Sequence, residues 1–312
     1  MPSLTFRRIS IAAATTLVVL AVGFRLLPRY PSLEDSSAPY PVEKLAEQLD
    51  PWLLGDGFSR VTVVEIAWVE GCKPGPETIG GLEAILHEYS PNRHPCEVIV
   101  DQEIPLARWN ELKGSGDAMR RIADTYARAE RALVAGTEWR YVLFVPELGA
   151  GYFGYSSTVW TLHDGKAIPV SFVSVSRDAH ARYAHLWLSF DRMEEMTLVH
   201  EFGHVLGLVQ NPQHERGGQH QGHCTSLDCP MAHPTPRVIA RNFFPGLLDH
   251  FMHDYCDACK ADIRRAQQFW RDRETEGPTY RLRRDAERES QRVRMEAWLH
   301  GDRSESIAPT QP

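Results

Sequence analysis

The pattern of hydrophobic positions predicts a β-sheet followed by an apolar helix. Three runs of apolar, often β-branched residues predict buried strands at 60–69, 96–104 and 140–146. After a glycine-rich stretch, the segments GYFGYSSTVWTL and IPVSFVSVS, separated by HDGK, predict two further strands joined by a turn. Apolar residues at helical spacing predict helices at 77–87, 117–135, 194–208 and 259–271. The elements together predict an α+β domain with a mixed, twisted sheet.

The two ends of the chain differ from this folded part. Two arginines precede an uncharged apolar run from Ile9 to Phe24, so residues 1–27 predict a signal peptide or a membrane anchor. Residues 28–51 are rich in Pro and Ser and predict a linker, whereas 52–275 carry the folded domain. The tail 276–312 mixes both charges and is expected to be helical or disordered. We therefore expect an extracytoplasmic protein, anchored by one membrane span or secreted to the periplasm or beyond.

Composition narrows the classes of function. The 312 residues are 43% hydrophobic, which is enough for a full core, and the net charge is -7. No basic face stands out, and binding to phosphates requires one. A nucleic-acid partner is therefore excluded from the expected functions.

The motif HEFGH predicts a metal site on the apolar helix. Residues four apart share one helix face, so His200 and His204 can bind one zinc ion while Glu201 lies about 100° round and can reach a metal-bound water. Zinc lowers the pKa of that water and polarises a carbonyl, and the carboxylate takes the proton and passes it on to the leaving amine. Gly207 provides a residue for the left-handed turn that ends such a helix. The natural chemistry is hydrolysis of a peptide bond.

The third zinc ligand is not given by this motif alone. In the pattern HExxHxxGxxH the last histidine would stand at 210, where this chain has Gln210. A catalytic zinc ion needs three protein ligands and one open position. The residues that follow offer four histidines and, for a gluzincin-type site with a carboxylate ligand, two aspartates: His214, His220, His223, His233, Asp249 and Asp254.

The cysteines indicate a second metal site. Four of them lie in two close pairs, spaced C-x4-C and C-x2-C: Cys224, Cys229, Cys256 and Cys259. Four thiolates so spaced can form a tetrahedral structural zinc site, although disulfides or a redox pair compete in an exported protein. Cys72 and Cys96 lie earlier in the chain and are either a disulfide or two buried thiols.

These motifs together resemble the archaemetzincins, a family of zinc metalloproteases. The matching segments are HEFGHVLGL at 200–208, HCTSLDCPM at 223–231 and YCDAC at 255–259, and thirteen extra residues stand before the second segment. The resemblance implies a zincin-type α+β fold with an active-site helix, then an irregular C-terminal subdomain with the four-cysteine zinc site and a C-terminal helix. It also implies His223 as the third ligand, Met231 as the Met-turn, and two zinc ions per chain, one catalytic and one structural.

The ligand assignment also has a physical argument. A structural zinc bound to Cys224 would hold its neighbour His223 near the catalytic zinc, which favours His223 over His214 and His220. An inserted loop of this length is tolerable because closure entropy grows only logarithmically with length.

The leading hypothesis is a zinc-dependent peptidase, endopeptidase or aminopeptidase, acting on a peptide or protein substrate. The resemblance also implies an antiparallel edge strand above the active site, to which substrate adds, and by order along the chain the segment GYFGYSSTVW or IPVSFVSVS would supply it. The alternative from another class is an inactive, zinc-stabilised binding or scaffold module at a membrane.

Overall fold

The computed structural model describes residues 40–49, 61–90, 95–114, 118–128, 137–149, 152–163, 166–183, 190–215, 222–226, 229–232, 254–274, 286, 289–290 and 292–296. The strands are β1 Val61–Val69, β2 Cys96–Ile104, β3 Thr137–Val145, β4 Gly154–His163 and β5 Lys166–Ser176. The helices are α1 Val42–Gln48, α2 Pro76–Tyr89, α3 Leu106–Leu112, α4 Ala118–Tyr126, α5 Arg177–Tyr183, α6 Phe190–Val205 and α7 Asp257–Glu274.

The five strands form one mixed sheet in the order β2-β1-β3-β5-β4. β1 pairs with β2 and β3 in parallel, β3 pairs with β5 in parallel, and β4 runs antiparallel to β5 at the edge. The inner strands β1 and β3 are buried over most of their length, which explains their nearly continuous apolar sequence. The predicted α+β class with a mixed sheet is confirmed.

Helix α6 packs against β4, β5 and α2, and helix α7 packs against α1. Leu198, Val199 and Phe202 of α6 are buried in the same hydrophobic core as Phe172 of β5 and Leu82 of α2. The HEFGH motif is thus held on a helix whose apolar side is fixed by the sheet. His200 and His204 are only partly buried on this helix and are available as ligands.

The predicted linker needs correction at its end. Within 28–51, residues 42–48 form α1, and its Leu45 and Ala46 are buried against the domain. Arg265 of α7 also donates a hydrogen bond from Nη2 to the carbonyl of Tyr40, at 2.7 Å. The helix was missed because its few apolar residues stand among acidic and proline residues, and their burial depends on a helix far along the chain.

The helix predicted at 117–135 is shorter among the described residues, where α4 ends at Tyr126. The backbone N–H of Arg128 donates to the carboxylate of Glu65 at 3.1 Å instead of to a carbonyl of its own helix. A buried acceptor on β1 therefore competes with continuation of the helix. Residues 129–136 lie outside the described part, and the short helices α3 and α5 were not predicted.

The possible disulfide between Cys72 and Cys96 is wrong. Both cysteines are free thiols. Cys96 pairs with Thr62 at the beginning of β1, whereas Cys72 follows the end of that strand, with its N–H bonded to the carbonyl of Val69 at 2.7 Å. The length of β1 separates them, and a disulfide requires Cα atoms within about 7 Å.

The predictions for the termini fall mostly outside the described residues. This applies to the signal or anchor at 1–27 and to most of the tail 276–312, and the boundaries of these two segments stay predictions. The helices that the structure describes include none that is long and apolar enough to cross a membrane. Residues 292–296 of the tail are helical, and Glu296 accepts a hydrogen bond from the N–H of Ala167 on β5 at 2.9 Å.

Candidate metal centres

His200 and His204 lie one turn apart on α6 and face each other. Their Nε2 atoms are 3.2 Å apart, and their ring centroids are separated by 4.8 Å. Nδ1 of His200 is 2.7 Å from the carbonyl oxygen of Pro230, which fixes this nitrogen as the donor and leaves Nε2 for a metal. The helix thus presents two oriented imidazole nitrogens to one point.

His223 completes this group. Its ring centroid lies 5.1 Å from that of His200 and 5.1 Å from that of His204. One ring nitrogen from each of the three histidines lies within 4.8 Å of the others. Burial and the neighbouring His200 and His223 lower the pKa of His204 to about 2, so its imidazole is neutral, as a metal ligand must be.

The backbone on either side of His223 explains its position. Gly222 has a φ of 80°, in the left-handed region, and its N–H donates to the carboxylate of Glu215 at 2.7 Å. The N–H of Cys224 donates to the carbonyl of Met231 at 2.8 Å. Hydrogen bonds therefore hold the residue before and the residue after His223.

Glu201 lies beside the three histidines and beneath the edge strand β4. Only 8% of the residue is exposed, and burial raises the pKa of Glu201 to about 7 although a hydrogen bond from Ser156 of β4 opposes the shift. Gly154 of the same strand is so close that a Cβ there would lie 2.5 Å from Cγ of Glu201. A buried carboxyl group next to three histidines that could hold a metal ion is in the position of a general base.

The helix ends directly after the second histidine in a Schellman motif. The N–H of Leu208 donates to the carbonyl of Gly203 at 3.0 Å, and that of Gly207 to the carbonyl of His204 at 3.0 Å. Gly207 has a φ of 73°, as the sequence predicted for a residue that ends the helix. The chain is therefore turned away from α6 before the inserted loop begins.

Met231, which the resemblance implies as the Met-turn, lies against α6 at Gly203. A Cβ on Gly203 would lie 2.0 Å from Sδ of Met231, so the thioether packs onto the bare backbone of the helix. Tyr255 is buried beside it and donates its hydroxyl to the carbonyl of Val199 at 3.1 Å. These contacts fix the part of α6 that carries His200 and His204.

The four cysteines of the C-terminal region form a second cluster. Their sulfur atoms all lie within 4.8 Å of one another, with Cys224 and Cys256 separated by 3.6 Å and Cys229 and Cys259 by 3.7 Å. Hydrogen bonds between these sulfurs lower the pKa of Cys256 and raise the pKa of Cys224 and Cys259. Four thiolates this close repel one another unless a cation lies between them. None forms a disulfide, and the donor set fits a tetrahedral zinc ion.

Comparison with known proteins adds one likeness. No family model and no curated protein matches the chain. Among solved structures, an archaemetzincin from Methanopyrus kandleri is similar, with 17% sequence identity and a TM-score of 0.36. The likeness covers 67% of this chain and 97% of that one. This is the family that the motifs of the chain resemble.

Within the described residues, the two remaining candidate ligands, His214 and Asp254, have partners other than the three histidines. His214 is turned toward Asp262 and Cys224. Asp254, the acid of the gluzincin alternative within the described residues, binds the hydroxyl of Tyr89 and the amine of Lys260. The other candidates lie outside the described residues: His220, His233 and Asp249.

Several residues around the site were not found from the sequence. Ser156 and Gly154 approach Glu201 of α6 from strand β4, and no local pattern marks such a contact. His180 is fully buried behind the same helix, with Nε2 2.8 Å from the hydroxyl of Thr197. Thr197 precedes Glu201 by one helical turn, and this spacing was a signal in the sequence that Thr197 lies near the site.

Proposed function

We propose that the chain is a zinc-dependent peptidase, with His200, His204 and His223 as ligands of a catalytic zinc and Glu201 as the catalytic base. The observation that carries the proposal is the convergence of three imidazoles beside a buried carboxyl group on the same helix. A purely structural zinc site has no use for a carboxyl group at that place.

The roles follow from the side chains. When bound, a zinc ion lowers the pKa of water and polarises a carbonyl oxygen. Glu201, held by Ser156 and pressed against Gly154, takes the proton of the attacking water and gives it to the departing amine. The carbonyl of Pro230 keeps His200 in the tautomer that binds metal through Nε2.

The substrate in this proposal is an extended peptide that adds to β4. This strand is the antiparallel edge of the sheet and lies over Glu201. Edge strands present unpaired backbone groups, and peptides bind them by strand addition. Tyr152 and Tyr155 are 63% and 47% exposed near its beginning and can pack against substrate side chains.

We also propose a second, structural zinc ion bound by the four cysteines, and an extracytoplasmic location. The location is supported by the apolar run from Ile9 to Phe24 after two arginines, as an anchor or a cleaved signal. Membrane attachment through this run would follow if it is not cleaved.

The test is peptide cleavage by the wild type and by Glu201→Gln. The substitution keeps size and leaves every proposed ligand in place, so both proteins are expected to bind two zinc ions and only the wild type to cleave a quenched-peptide library. If both proteins load with zinc and neither cleaves any peptide, the proposal fails and a zinc-stabilised binding module explains the chain better. Equal cleavage by both would remove Glu201 from the mechanism.

A further inference from the structure

His214 belongs to neither metal cluster, yet it lies next to the four-cysteine cluster. It belongs to the inserted segment after Gln210, yet it is only 9% exposed. Nε2 lies 2.6 Å from Oδ2 of Asp262, and Nδ1 lies 3.8 Å from Sγ of Cys224. The imidazole thus bridges a carboxylate on α7 and one sulfur of the four-cysteine cluster.

The carboxylate is itself held in place. Asn211 donates from Nδ2 to both carboxylate oxygens of Asp262, at 3.0 and 3.1 Å. Arg265 lies 3.5 Å from the same carboxylate by its Nη1 atom. Asp262 and Asn211 are buried, so these hydrogen bonds are shielded from competition by water. The ring of His214 therefore has a fixed orientation toward the sulfur.

The backbone of His214 is tied to the same cluster. Its carbonyl accepts a hydrogen bond from the N–H of Thr225 at 2.9 Å, and the next residue, Glu215, forms an isolated β-bridge with Cys224. These contacts connect the start of the inserted segment to the residues directly after His223. His214 is thus connected through the backbone to Cys224 and Thr225, which directly follow His223.

We propose that His214, oriented by Asp262, is a positioning residue of the four-cysteine metal site: its Nδ1 contacts the Cys224 sulfur and fastens the inserted segment to that site. Outer-sphere partners of this kind orient a ligand, and their loss typically lowers metal affinity by roughly 10 to 100-fold. The inference rests on the proposed structural zinc, but it assigns His214 a role distinct from that of a zinc ligand.

Two substitutions separate the two contacts of the ring. In His214→Gln the amide nitrogen takes the place of Nε2, which keeps the contact with Asp262 and removes the one with sulfur. In His214→Asn the nitrogen takes the place of Nδ1, which keeps the sulfur contact and gives up Asp262. His87→Gln is the matched control, since this histidine is exposed on α2 outside both clusters.

The measurement is metal affinity of the full chain. Zinc is competed with a chromophoric chelator, and Co²⁺ is titrated while the thiolate-to-cobalt absorption is followed, which reports the four-cysteine site alone. We expect His214→Gln to weaken binding there about 10-fold or more and to alter the cobalt band. His214→Asn is expected to weaken it less, and His87→Gln to match the wild type.

The following results decide the inference. Wild-type affinity and an unchanged cobalt band in His214→Gln would overturn it while the proposed zinc sites stand, and so would a His214→Asn variant that binds no better than His214→Gln. If His214→Gln does not fold, a folded His214→Asn with near wild-type affinity supports the inference, and a large loss overturns it. A wild type whose cysteines bind no metal would overturn the structural zinc and this inference together.

Discussion

Gly154→Ala tests whether the position of Glu201 governs catalysis. Gly154 is on β4, and a methyl group there would lie 2.5 Å from Cγ and 2.7 Å from Oε1 of Glu201. The same methyl group would lie 2.8 Å from Cγ2 of Thr197, so the added Cβ would also be too close to a second side chain of α6. Ordinary contact between carbon atoms begins at about 3.5 Å, so the strand or the carboxylate has to move by about 1 Å.

A displacement of this size has a calculable effect on rate. Misplacement of a reacting group by about 1 Å can cost about 100-fold in rate, so kcat on a quenched peptide is expected to fall by about that factor. The added Cβ lies against Glu201 and Thr197 rather than the three histidines, so the variant is expected to retain its zinc. The assay is steady-state cleavage together with zinc content for the wild type and the variant.

The matched control is Gly80→Ala. Gly80 lies inside α2 with nothing within 4 Å of the added Cβ, so the substitution is expected to leave kcat unchanged and to stabilise the helix by about 1 kcal/mol. A Gly154→Ala variant that is fully zinc-loaded and as active as the wild type would refute the reasoning about Glu201.

Two further substitutions test the surroundings of α6: one tests a packing contact, and the other tests the burial of a histidine. Gly203→Ala would place a methyl group 2.0 Å from Sδ of the fully buried Met231, so we expect urea unfolding of the zinc-loaded protein to show a loss of about 1 to 3 kcal/mol. A gain of about 1 kcal/mol, as expected for Gly80→Ala, would contradict this contact. His180 is fully buried beside Thr197, and burial lowers the pKa of His180 to about 3. In the unfolded chain, His180 has its ordinary pKa of 6.5, so as the pH falls below 6.5 the unfolded chain binds a proton at this residue and the folded chain does not. His180 therefore lowers the free energy of unfolding by roughly 2 kcal/mol between pH 6.5 and 5. In His180→Gln, the free energy of unfolding is expected to fall by roughly 2 kcal/mol less than in the wild type over the same pH interval. Equal losses in the two proteins would show that His180 is not the group responsible.

The sequence predicted the parts of the site that depend on local spacing. His200, Glu201 and His204 take their relative positions from the helical repeat, and Gly207 ends the helix because it can adopt a positive φ. The strands were found because their apolar runs are buried on a sheet covered by helices.

Contacts between distant segments could not be derived in this way. The orientation of His214 depends on Asp262, forty-eight residues later, and the end of α4 depends on Glu65 of β1. The composition of an inserted segment rich in His, Gly and Gln gives no sign of which histidine will be buried. A buried acceptor elsewhere in the fold decides the matter in both places.

The central claim is that His200, His204 and His223 hold one zinc ion and the four cysteines another. Metal analysis of His223→Ala tests it most directly, with His87→Ala as the exposed control. We predict two zinc ions per chain in the wild type and in the control. In His223→Ala we predict one, with loss of peptide cleavage and an intact thiolate-to-cobalt band. A His223→Ala protein that keeps two zinc ions and cleaves peptide at the wild-type rate would contradict the account.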